Sequence, residues 1–378
     1  MKRLLLIGDP NSIYVQNYAL QLRRHFGSSI NMDLFATFLS NRKPGSMPYD
    51  HIHGIIGSGH IHRKGKSIRW LRPWYLMQFL RSRRAAYDVV HVLYCIQDLM
   101  VARIALRKAA PRLILTVFGS DFYQLAEWKK RLFKPVYQSA DIITSNNNIA
   151  LNAIRQLFDL RPEQMTICRF GFNSLDQLER IKKTPQSVSR EHLQLPHGKI
   201  IICIGYNYDS IQQHIPVLES ISSNPGLLQR REDLFFLVPM TYGTEPEYRN
   251  KLKEALTRFP YPHAAIEYFL SDEDNAHLRK ATDILIQVQK SDSFSASTQE
   301  HMFAGNLLIT GDWLPYGDLE ESGIYFRKIG LPRKSGDELL YCIEHLSQEK
   351  EKCNQNADAI YKLSSWSANI PHWLELYA

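Results

Sequence analysis

Short runs of consecutive apolar residues recur along the first half of the chain, and each ends in turn-forming or polar residues. Residues 3–7 read RLLLI and are followed by Gly8, Asp9 and Pro10. A continuous apolar run of this length is typical of a parallel strand that is buried on both faces. The first half therefore predicts alternating strands and helices, with further strands at 88–92, 112–117 and 141–145 and helices at 13–26, 96–109 and 147–158.

The second half repeats this pattern after a polar stretch at 182–197 that has no strong periodicity. Its apolar runs predict buried strands at 199–205, 234–238, 282–287 and 306–310. Alternating strand and helix patterns in both halves predict an α/β protein with two doubly wound parallel sheets. Such sheets bind ligands at the carboxyl ends of their strands, so we expect a ligand cleft between two domains.

Charge is distributed unevenly between the two halves. The 378 residues carry a formal charge of +8, but residues 1–175 hold 25 Lys and Arg against 10 Asp and Glu, and the remainder holds 21 against 28. This asymmetry predicts that the first half faces an anionic partner, either nucleic acid or an acidic membrane surface. No window is apolar enough to span a membrane and no signal peptide is evident, so we expect a cytoplasmic chain. Five scattered cysteines without a CxxC pair predict reduced thiols.

The stretch at 290–309 carries the clearest candidate chemistry. A loop of small residues opens a helix that ends at Gly305, before the last of the predicted strands. Exposed amides at a helix start, together with the helix dipole, favour a diphosphate. Asp292 precedes the loop and Glu300 lies one turn into the helix, where carboxylates can accept hydrogen bonds from sugar or ribose hydroxyls. The alternative is that Asp292 and Thr298 only cap the helix while Glu300 is solvated.

The same stretch resembles the donor-site motif of family 4 glycosyltransferases of the GT-B class. In that motif an acidic residue is followed, after seven residues, by Glu-Ala-Met-Ala-Cys-Gly. Here Asp292 is followed at the same spacing by EHMFAG at 300–305. VFGSD at 117–121 is similar to the family's His-Gly-Ser-Asp loop, and RFGFN at 169–173 to its Asn-Gly-Ile-Asp turn. Together with the tail at 366–377, similar to the family's last helix, these motifs cover nearly the whole chain.

The resemblance implies two Rossmann-like domains facing each other across a cleft. The first, at 1–178, would bind the acceptor and include a returning helix at about 362–378, and the second, at 179–361, would bind a nucleotide-sugar. No metal or other cofactor is expected, because no credible metal site accompanies the motifs.

The resemblance also assigns roles to individual residues. Asp292 and Asp121 are the candidate catalytic residues, and the acceptor side would include Gly8, Ser12, Gly119 and Ser120. The donor-binding candidates are Gly205, Tyr206, Lys290, Phe294, Ser295, Ser297, Thr298 and Glu300.

A second, local likeness concerns LVPMTYG at 237–243, followed by PEY at 246–248, which is similar to a segment of lipid-linked 4-acetamido-fucosyl transferases. Family 4 chemistry implies retention of the anomeric configuration without a protein nucleophile. The fucosyl transferases imply inversion with a carboxylate base such as Asp121. Both outcomes stay open at this point.

Two departures from family 4 stand out. The family usually places an Arg after the first glycine of the second domain and a Lys about six residues later, as a clamp on the diphosphate. This chain has Tyr206 after Gly205, and Gln212, Gln213 and His214 where the Lys falls. The helix amides would then hold the phosphates with help from Lys290, Lys280 or Arg169. In addition, Phe118 replaces the family's His before Gly-Ser-Asp.

Residues 51–87 combine eight Lys and Arg residues with no carboxylate, and their aromatic residues include Trp70, Trp74, Tyr75 and Phe79. This composition suits a segment lying on anionic lipid headgroups. The alternatives are that Trp70, Trp74 and Phe79 pack in the core, or that the segment forms a nucleic-acid groove, which no nucleic-acid motif supports. His51, His53, His60 and His62 lack accompanying carboxylates, so a metal site is disfavoured. The predicted membrane contacts are Arg69, Trp70, Trp74, Arg81, Arg83 and Arg84.

These observations together predict a metal-independent GT-B glycosyltransferase. It would move a sugar from a nucleotide-sugar to a lipid-linked or growing cell-envelope saccharide at the inner face of a bacterial plasma membrane, without a nucleic-acid partner. The alternatives are a GT-B nucleotide-sugar epimerase and a non-catalytic saccharide-binding subunit.

Overall fold

A computed structural model of the chain describes residues 1–38, 47–54, 71–123, 125–146, 148–292 and 294–378. The described residues divide into two compact units. The first consists of Met1–Gly171 and Asn369–Ala378, and the second of Phe172–Ala368. The predicted boundaries at 178 and 362 differ from this division, because Leu175 and Leu178 pack in the core of the second unit.

The first unit is built on a parallel sheet of seven strands in the order β3-β2-β1-β4-β5-β6-β7. Each predicted strand is present within two residues of its expected bounds. The strands are β1 (Lys2–Gly8), β2 (Ile30–Ala36), β3 (His51–Gly54), β4 (Val89–Leu93), β5 (Arg112–Val117), β6 (Ile142–Ser145) and β7 (Met165–Ile167). The helices are α1 (Ile13–Phe26), α2 (Arg72–Ser82), α3 (Asp98–Ala109), α4 (Ser120–Tyr123), α5 (Glu127–Gln138) and α6 (Asn148–Phe158).

The second unit contains a parallel sheet of six strands in the order β10-β9-β8-β11-β12-β13. The strands are β8 (Ile200–Ile204), β9 (Leu234–Pro239), β10 (His263–Ile266), β11 (Ile284–Gln287), β12 (Leu307–Gly311) and β13 (Arg327–Ile329). The helices are α7 (Asn173–Arg180), α8 (Gln186–His192), α9 (His214–Ser222), α10 (Pro225–Gln229), α11 (Pro246–Thr257), α12 (Asp272–Ala281), α13 (Ala296–Phe303), α14 (Gly317–Glu321), α15 (Ser335–Glu344), α16 (Leu346–Lys352) and α17 (Asn356–Ser364). The last helix, α18 (Trp366–Glu375), contains the point at which the chain returns to the first unit.

Alternation within a strand explains why these strands are apolar throughout. In β8, Ile202 and Ile204 belong to the core on one face of the sheet, whereas Ile201 and Cys203 belong to the core on the other. Because successive side chains point to opposite faces, a strand covered on both sides needs an apolar residue at every position. The prediction of two doubly wound parallel sheets is thus confirmed.

A buried polar network ties the last residues of the chain into the first unit. Tyr377 Oη lies 2.6 Å from both His91 Nδ1 and Tyr18 Oη. His91 Nε2 lies 2.6 Å from Thr116 Oγ1, which lies 2.8 Å from Thr144 Oγ1. Burial lowers the pKa of His91 to about 3, so the ring is neutral at physiological pH. The network therefore joins the C-terminal residues to β4, β5 and β6.

Candidate functional site

The candidate site of the second unit lies at the topological switch point of its sheet. Strands β8 and β11 are neighbours in the sheet, but the chain leaves β8 towards β9 and β11 towards β12. In doubly wound sheets, ligands bind in the crevice that forms where the connections diverge in this way. Hydrogen bonds join the two loops: Lys290 N donates to Ile211 O at 2.9 Å, and Gln212 Nε2 to Gln289 Oε1 at 2.9 Å.

The N-terminus of α13 faces this switch point, as the sequence predicts. Ser295 is the N-cap, and its hydroxyl accepts a hydrogen bond of 3.4 Å from the amide of Thr298. The Ser295 hydroxyl also contacts Thr298 Oγ1 at 2.9 Å and accepts from Gln287 Nε2 at 2.8 Å. The hydroxyls of Ser295 and Thr298 are thus engaged in capping the helix. Ser297 and Thr298 are both buried. Phe294, directly before the cap, has a φ of +66°, a conformation that bulky residues rarely adopt.

Asp292 is held in a defined orientation by two donors. Its Oδ2 accepts a hydrogen bond of 3.0 Å from the amide of Ser295 and another from the hydroxyl of Tyr316. Burial and the negative charge of Asp292 both raise the pKa of Tyr316, so the phenol keeps its proton. The carboxylate is half-buried and fixed beside the start of α13, where it helps to order the loop.

Glu300 is buried, contrary to the alternative that it is solvated. Its Oε2 lies 3.1 Å from Nε of Arg279 on α12, and both side chains are almost entirely buried. A buried carboxylate requires a partner of this kind, because the desolvation of an isolated charge is costly. The pair fixes Glu300 on the first turns of α13.

Several buried polar atoms at the switch point have no hydrogen-bond partner among the described residues. They are Gln212 Oε1, both ring nitrogens of His214, Gln287 Oε1, Gln289 Nε2 and Ser297 Oγ. Buried polar groups in folded proteins are nearly always paired, so a concentration of unpaired ones indicates a place for water or a polar ligand. Sequence reasoning missed these residues, although their signal was present in the Gln and His that replace the family's Lys.

His214 begins α9 and packs directly against Gly205. Burial lowers the pKa of His214 to about 4, so the ring is neutral. Gly205 has a φ of +65°, and a Cβ at this position would lie 2.5 Å from His214 Nε2. A glycine is therefore required here both by the backbone conformation and by the close approach of the imidazole.

The remaining donor candidates lie on or near the same edge of the sheet. Tyr206 follows β8, and its ring centroid lies 6.3 Å from that of Tyr242, which follows β9. Lys290 is exposed in the loop between β11 and α13. Lys280, in contrast, lies away from this edge, since it lines a cavity at the other end of α13.

That cavity, of about 190 Å³, is bordered by Gly305 and by Lys182, Lys280 and Lys350. Burial and the charge of Lys350 lower the pKa of Lys280, whose Nζ donates to the carbonyl of Lys182 at 3.0 Å. The cavity therefore lies at the C-terminal end of α13, opposite the candidate anion site at its N-terminus. The suggestion that Lys280 assists the phosphates is wrong for this reason.

The acceptor candidates of the first unit occupy the equivalent edge of its sheet. Gly8 ends β1, and the amide of Ser12 donates to Asp9 O at 3.2 Å in the turn before α1. Gly119 lies between β5 and α4 with a φ of +105°, and Ser120 is the first residue of α4. Strands β1 and β4 flank the switch point of this sheet, so these loops are where ligands are expected.

Asp121 is buried and holds the loop that contains it. One carboxylate oxygen accepts hydrogen bonds from the amides of Phe118 and Gly119, at 3.0 and 2.9 Å, and the other from Cys95 N at 2.7 Å. Burial raises the pKa of Asp121 to about 6, although these amide donors oppose the shift. The geometry gives Asp121 a positioning role, while its role as a catalytic base stays a prediction.

Phe118, which replaces the family's histidine, belongs to an aromatic cluster. Its ring stacks on Phe170 with centroids 5.1 Å apart and also contacts Tyr14 and Tyr94. The replacement therefore exchanges an ionisable group for aromatic packing next to the acceptor candidates.

The basic stretch at 51–87 is described in part. Arg69 and Trp70 lie outside the described residues. Trp74 is half-exposed, so the alternative that it packs in the core is wrong, whereas Phe79 is partly buried against the core. Arg81, Arg83 and Arg84 are exposed at the end of α2.

Arg72 does not belong to the exposed basic set. Its guanidinium forms an ion pair with the carboxylate of Asp98 and donates to Thr37 O at 3.0 Å. It thus joins α2 to the start of α3.

The described histidines of the stretch at 51–87 contact a carboxylate. His51 and His53 lie 3.5 and 3.3 Å from the oxygens of Asp33, while His60 and His62 lie outside the described residues. Within the described part of the chain, no three metal-ligating side chains come together. The five cysteines are free and buried, as predicted for reduced thiols. None of the described helices is long and apolar enough to cross a bilayer.

Comparison with known proteins supports the resemblance seen in the motifs. A family model described as "Glycosyl transferase 4-like" matches residues 3–147. No curated protein matches the chain.

Solved structures match over the full length. A glycosyltransferase from Rickettsia africae is similar with a TM-score of 0.74 and 14% identity, covering 100% of this chain and 97% of that one. Anabaena HepE in complex with UDP and glucose has a TM-score of 0.69 and 14% identity, covering 100% of both chains. Sucrose-phosphate synthase from Thermosynechococcus elongatus has a TM-score of 0.71 and 13% identity, covering 100% and 98%. At 13–14% identity these likenesses show the fold alone, and the predicted GT-B fold, with a doubly wound parallel sheet in each unit, is confirmed.

Proposed function

We propose that this chain, which has a GT-B fold and a glycosyl transferase 4-like first half, transfers a sugar from a nucleotide-sugar to a lipid-linked or growing cell-envelope saccharide. The reaction would take place at the inner face of a bacterial plasma membrane, with the protein attached peripherally. No metal ion is assigned to the reaction.

The observation that carries the proposal is the group of unpaired buried polar atoms at the switch point of the second sheet. They come from the segment that leads from β8 into α9, from the end of β11 with the loop after it, and from the first turn of α13, and they offer both donors and acceptors. A nucleoside diphosphate matches this environment, because phosphate oxygens accept from amides and neutral imidazole while ribose hydroxyls donate to carboxamide oxygens. HepE, which has the same fold, binds UDP and glucose.

The donor would be held mostly by neutral groups. The amides at 296 and 297 and the dipole of α13 would stabilise the charge that develops on the leaving diphosphate. Neutral His214 would stand where family 4 has its lysine, with Lys290 as the exposed cation of the neighbouring loop. Glu300 would accept from the ribose and Asp292 from the donor sugar, while Tyr206 would flank the nucleotide.

The acceptor would be presented by the first unit, at the loops containing Gly8, Ser12, Gly119 and Ser120. Membrane attachment is supported by α2, where half-exposed Trp74 and exposed Arg81 lie on one helix. Basic residues near an anionic surface each contribute about 1 kcal/mol, and interfacial tryptophan adds apolar contact. Arg69, Trp70, Arg83 and Arg84 would extend this contact.

The proposal is tested by replacing one of the unpaired hydroxyls. In Ser297→Ala, the hydroxyl at the switch point is lost, and we expect the affinity for a nucleoside diphosphate to fall several-fold, measured by calorimetry with UDP, dTDP, GDP and ADP. The matched control is Ser335→Ala, which removes another buried unpaired hydroxyl from α15 of the same unit. Equal affinities in both variants, or no binding of any diphosphate to the wild type, would contradict the proposal.

Turnover distinguishes the alternatives. A transferase releases nucleoside diphosphate from the matching nucleotide-sugar only when a membrane lipid extract supplies the acceptor, apart from slow hydrolysis. An epimerase changes the sugar without releasing diphosphate. A binding subunit does neither, although it binds saccharide.

A further inference from the structure

Helix α5 carries two apolar stripes, only one of which packs against the protein. Phe133, Val136 and Tyr137 are buried in the core of the first unit. On the outward side, Trp128 and Leu132 are 63% and 52% exposed. A surface helix of a globular domain needs a single apolar stripe, with polar residues opposite it. The outward tryptophan and leucine therefore have no role in the folding of this unit.

Two further helices, α3 and α2, also expose apolar side chains. Helix α3 packs between α2 and α5 on one face of the first sheet. Val101 and Ile104 on α3 are more than half exposed, and Trp74 and Tyr75 on α2 are about half exposed. Val101 and Ile104 are three positions apart on α3, and Trp128 and Leu132 are four apart on α5, which places each pair on one side of its helix, whereas Trp74 and Tyr75 are consecutive on α2. Apolar side chains that are exposed together on one surface are typical of an interaction site, and these helices pack side by side on one face of the sheet.

Charge identifies the partner. Helices α2, α3 and α5 carry nine Lys and Arg residues and two carboxylates, Asp98 and Glu127. Both carboxylates are already paired, Asp98 with Arg72 and Glu127 with Lys130 at 2.6 Å. Arg72 and Lys130 are used in these pairs and Arg107 pairs with Asp141, so the exposed cations that surround the apolar side chains are Arg81, Lys108, Arg131 and Lys134. Such a combination fits an anionic phospholipid surface, where the rings and aliphatic groups enter the interface and the cations meet the headgroups.

We infer that the outward faces of α2, α3 and α5 form one docking surface for an anionic bilayer, with α5 as its second tryptophan anchor. The inference rests on the proposed function and extends it beyond the stretch at 51–87, from which α3 and α5 are absent. It adds Val101, Ile104, Trp128, Arg131, Leu132 and Lys134 to the membrane contacts.

Helix α5 follows directly after the helix that contains the acceptor candidate Ser120 and the catalytic candidate Asp121. Helix α4, which contains Asp121, ends at Tyr123, and α5 begins at Glu127. Tyr123 is half-exposed on this connection. A bilayer bound to α5 therefore lies one short connection from the acceptor loop, which places a lipid-linked saccharide within reach of Gly119 and Asp121 while its lipid stays in the membrane.

The experiment is co-sedimentation of the full chain with phosphatidylcholine vesicles, with and without phosphatidylglycerol. We expect Arg131→Glu/Lys134→Glu to lower the partition onto phosphatidylglycerol vesicles by about tenfold or more. The matched control, Lys251→Glu/Arg258→Glu, makes the same charge change on exposed residues of the second unit and should leave partition nearly unchanged. Equal pelleting of the two variants would overturn the inference.

The apolar contribution is tested separately with Trp128→Ser/Leu132→Ser against Val188→Ser/Leu228→Ser, which alters exposed apolar residues of the second unit. We expect several-fold weaker partition only for the α5 variant, and weaker tryptophan quenching by brominated lipids in Trp128→Phe than in the wild type. If the α5 variants instead abolish self-association or capture of a protein while vesicle binding is unchanged, the bilayer is not the partner.

Failure of this inference is distinguishable from failure of the proposed function. Binding of nucleoside diphosphate in lipid-free solution reports the second unit alone and should be equal in all these variants. Vesicle binding without any diphosphate binding would support the docking surface and contradict the proposed transferase function.

Discussion

The guanidinium of Arg279 and the carboxylate of Glu300 form a buried ion pair, with 3.1 Å between Nε and Oε2. The pair joins α12 to α13, and its carboxylate belongs to Glu300, the residue proposed to bind the donor ribose. Removing one partner of a buried pair is strongly destabilising, because it leaves an uncompensated charge. Glu300 therefore has a structural contact that must be separated from its proposed binding role.

Replacing Glu300 by Gln tests this separation. Glutamine retains an oxygen that can accept from Arg279 but loses the charge that strengthens a hydrogen bond to a ribose hydroxyl. We expect the Kd for the nucleoside diphosphate to rise about tenfold. The Kd for inorganic pyrophosphate, which has no ribose, should stay nearly constant in calorimetry.

The control for this prediction is Glu320→Gln, since Glu320 pairs with Lys328 on the surface. A parallel loss of pyrophosphate and nucleotide affinity in Glu300→Gln would assign Glu300 a purely structural role.

Gly205 and His214 offer a test of the close packing at the switch point. A Cβ on residue 205 would meet His214 Nε2 at 2.5 Å, and the φ of +65° disfavours any residue but glycine. We expect Gly205→Ala to lower the free energy of unfolding by about 2 to 4 kcal/mol, the sum of overpacking and left-handed strain. In a His214→Ala background the cost should fall to the strain alone, about 1 to 2 kcal/mol.

Urea unfolding measures both differences. Gly317→Ala is the control, because nothing lies within 4 Å of a Cβ there. An equal cost of Gly205→Ala in both backgrounds would show that the imidazole does not occupy this space.

The strands and the donor motif were predictable for one physical reason. Strands covered on both faces must be apolar throughout, and the continuous apolar runs of β1, β5 and β8 made these strands predictable. Strands that were not predicted lack such runs: Asp33 interrupts β2, and β3 and β10 are short edge strands with histidines or alanines. Edge strands bury less surface, so their sequences are less constrained.

The candidate site was only partly predictable, because contacts between distant elements are not encoded in local spacing. Asp292 and Ser295 occupy the positions that the motif indicates. The burial of Glu300 against Arg279 depends on how α12 packs on α13, and the displacement of Lys280 depends on the direction of the same helix. The outward tryptophan of α5 could have been noticed, since WKKRLFK at 128–134 combines bases and apolar residues as 51–87 does.

The raised pKa of Asp121 predicts a particular dependence of stability on pH. Burial raises this pKa to about 6, above the ordinary aspartate value of about 4. Between these values the folded chain holds the proton more than the unfolded chain does, so this carboxyl makes stability fall as pH rises from about 4 to 6. The contribution reaches about 3 kcal/mol.

In Asp121→Asn this pH-dependent loss should disappear, while Asp159→Asn, an exposed position outside the helices, should leave it unchanged. The measurement is urea unfolding across the pH range. If the wild type instead loses no more stability than Asp121→Asn over this window, the three amide donors outweigh burial.

Tyr377 controls how the end of the chain is held. Its hydroxyl lies 2.6 Å from both His91 Nδ1 and Tyr18 Oη inside the first unit, and those two atoms are 3.4 Å apart. In Tyr377→Phe they can only form a long hydrogen bond with each other, and we expect the free energy of unfolding to fall by about 1 to 3 kcal/mol. Tyr341→Phe, at an exposed position of α15, should cost far less.

A double-mutant cycle with Tyr18 tests the pair of hydroxyls directly. A buried unpaired donor is costlier than two apolar groups, so Tyr377→Phe combined with Tyr18→Phe should destabilise the chain by less than the sum of the two single changes. Denaturant unfolding of the four proteins measures this difference. Additive costs would mean that the two hydroxyls do not interact in solution.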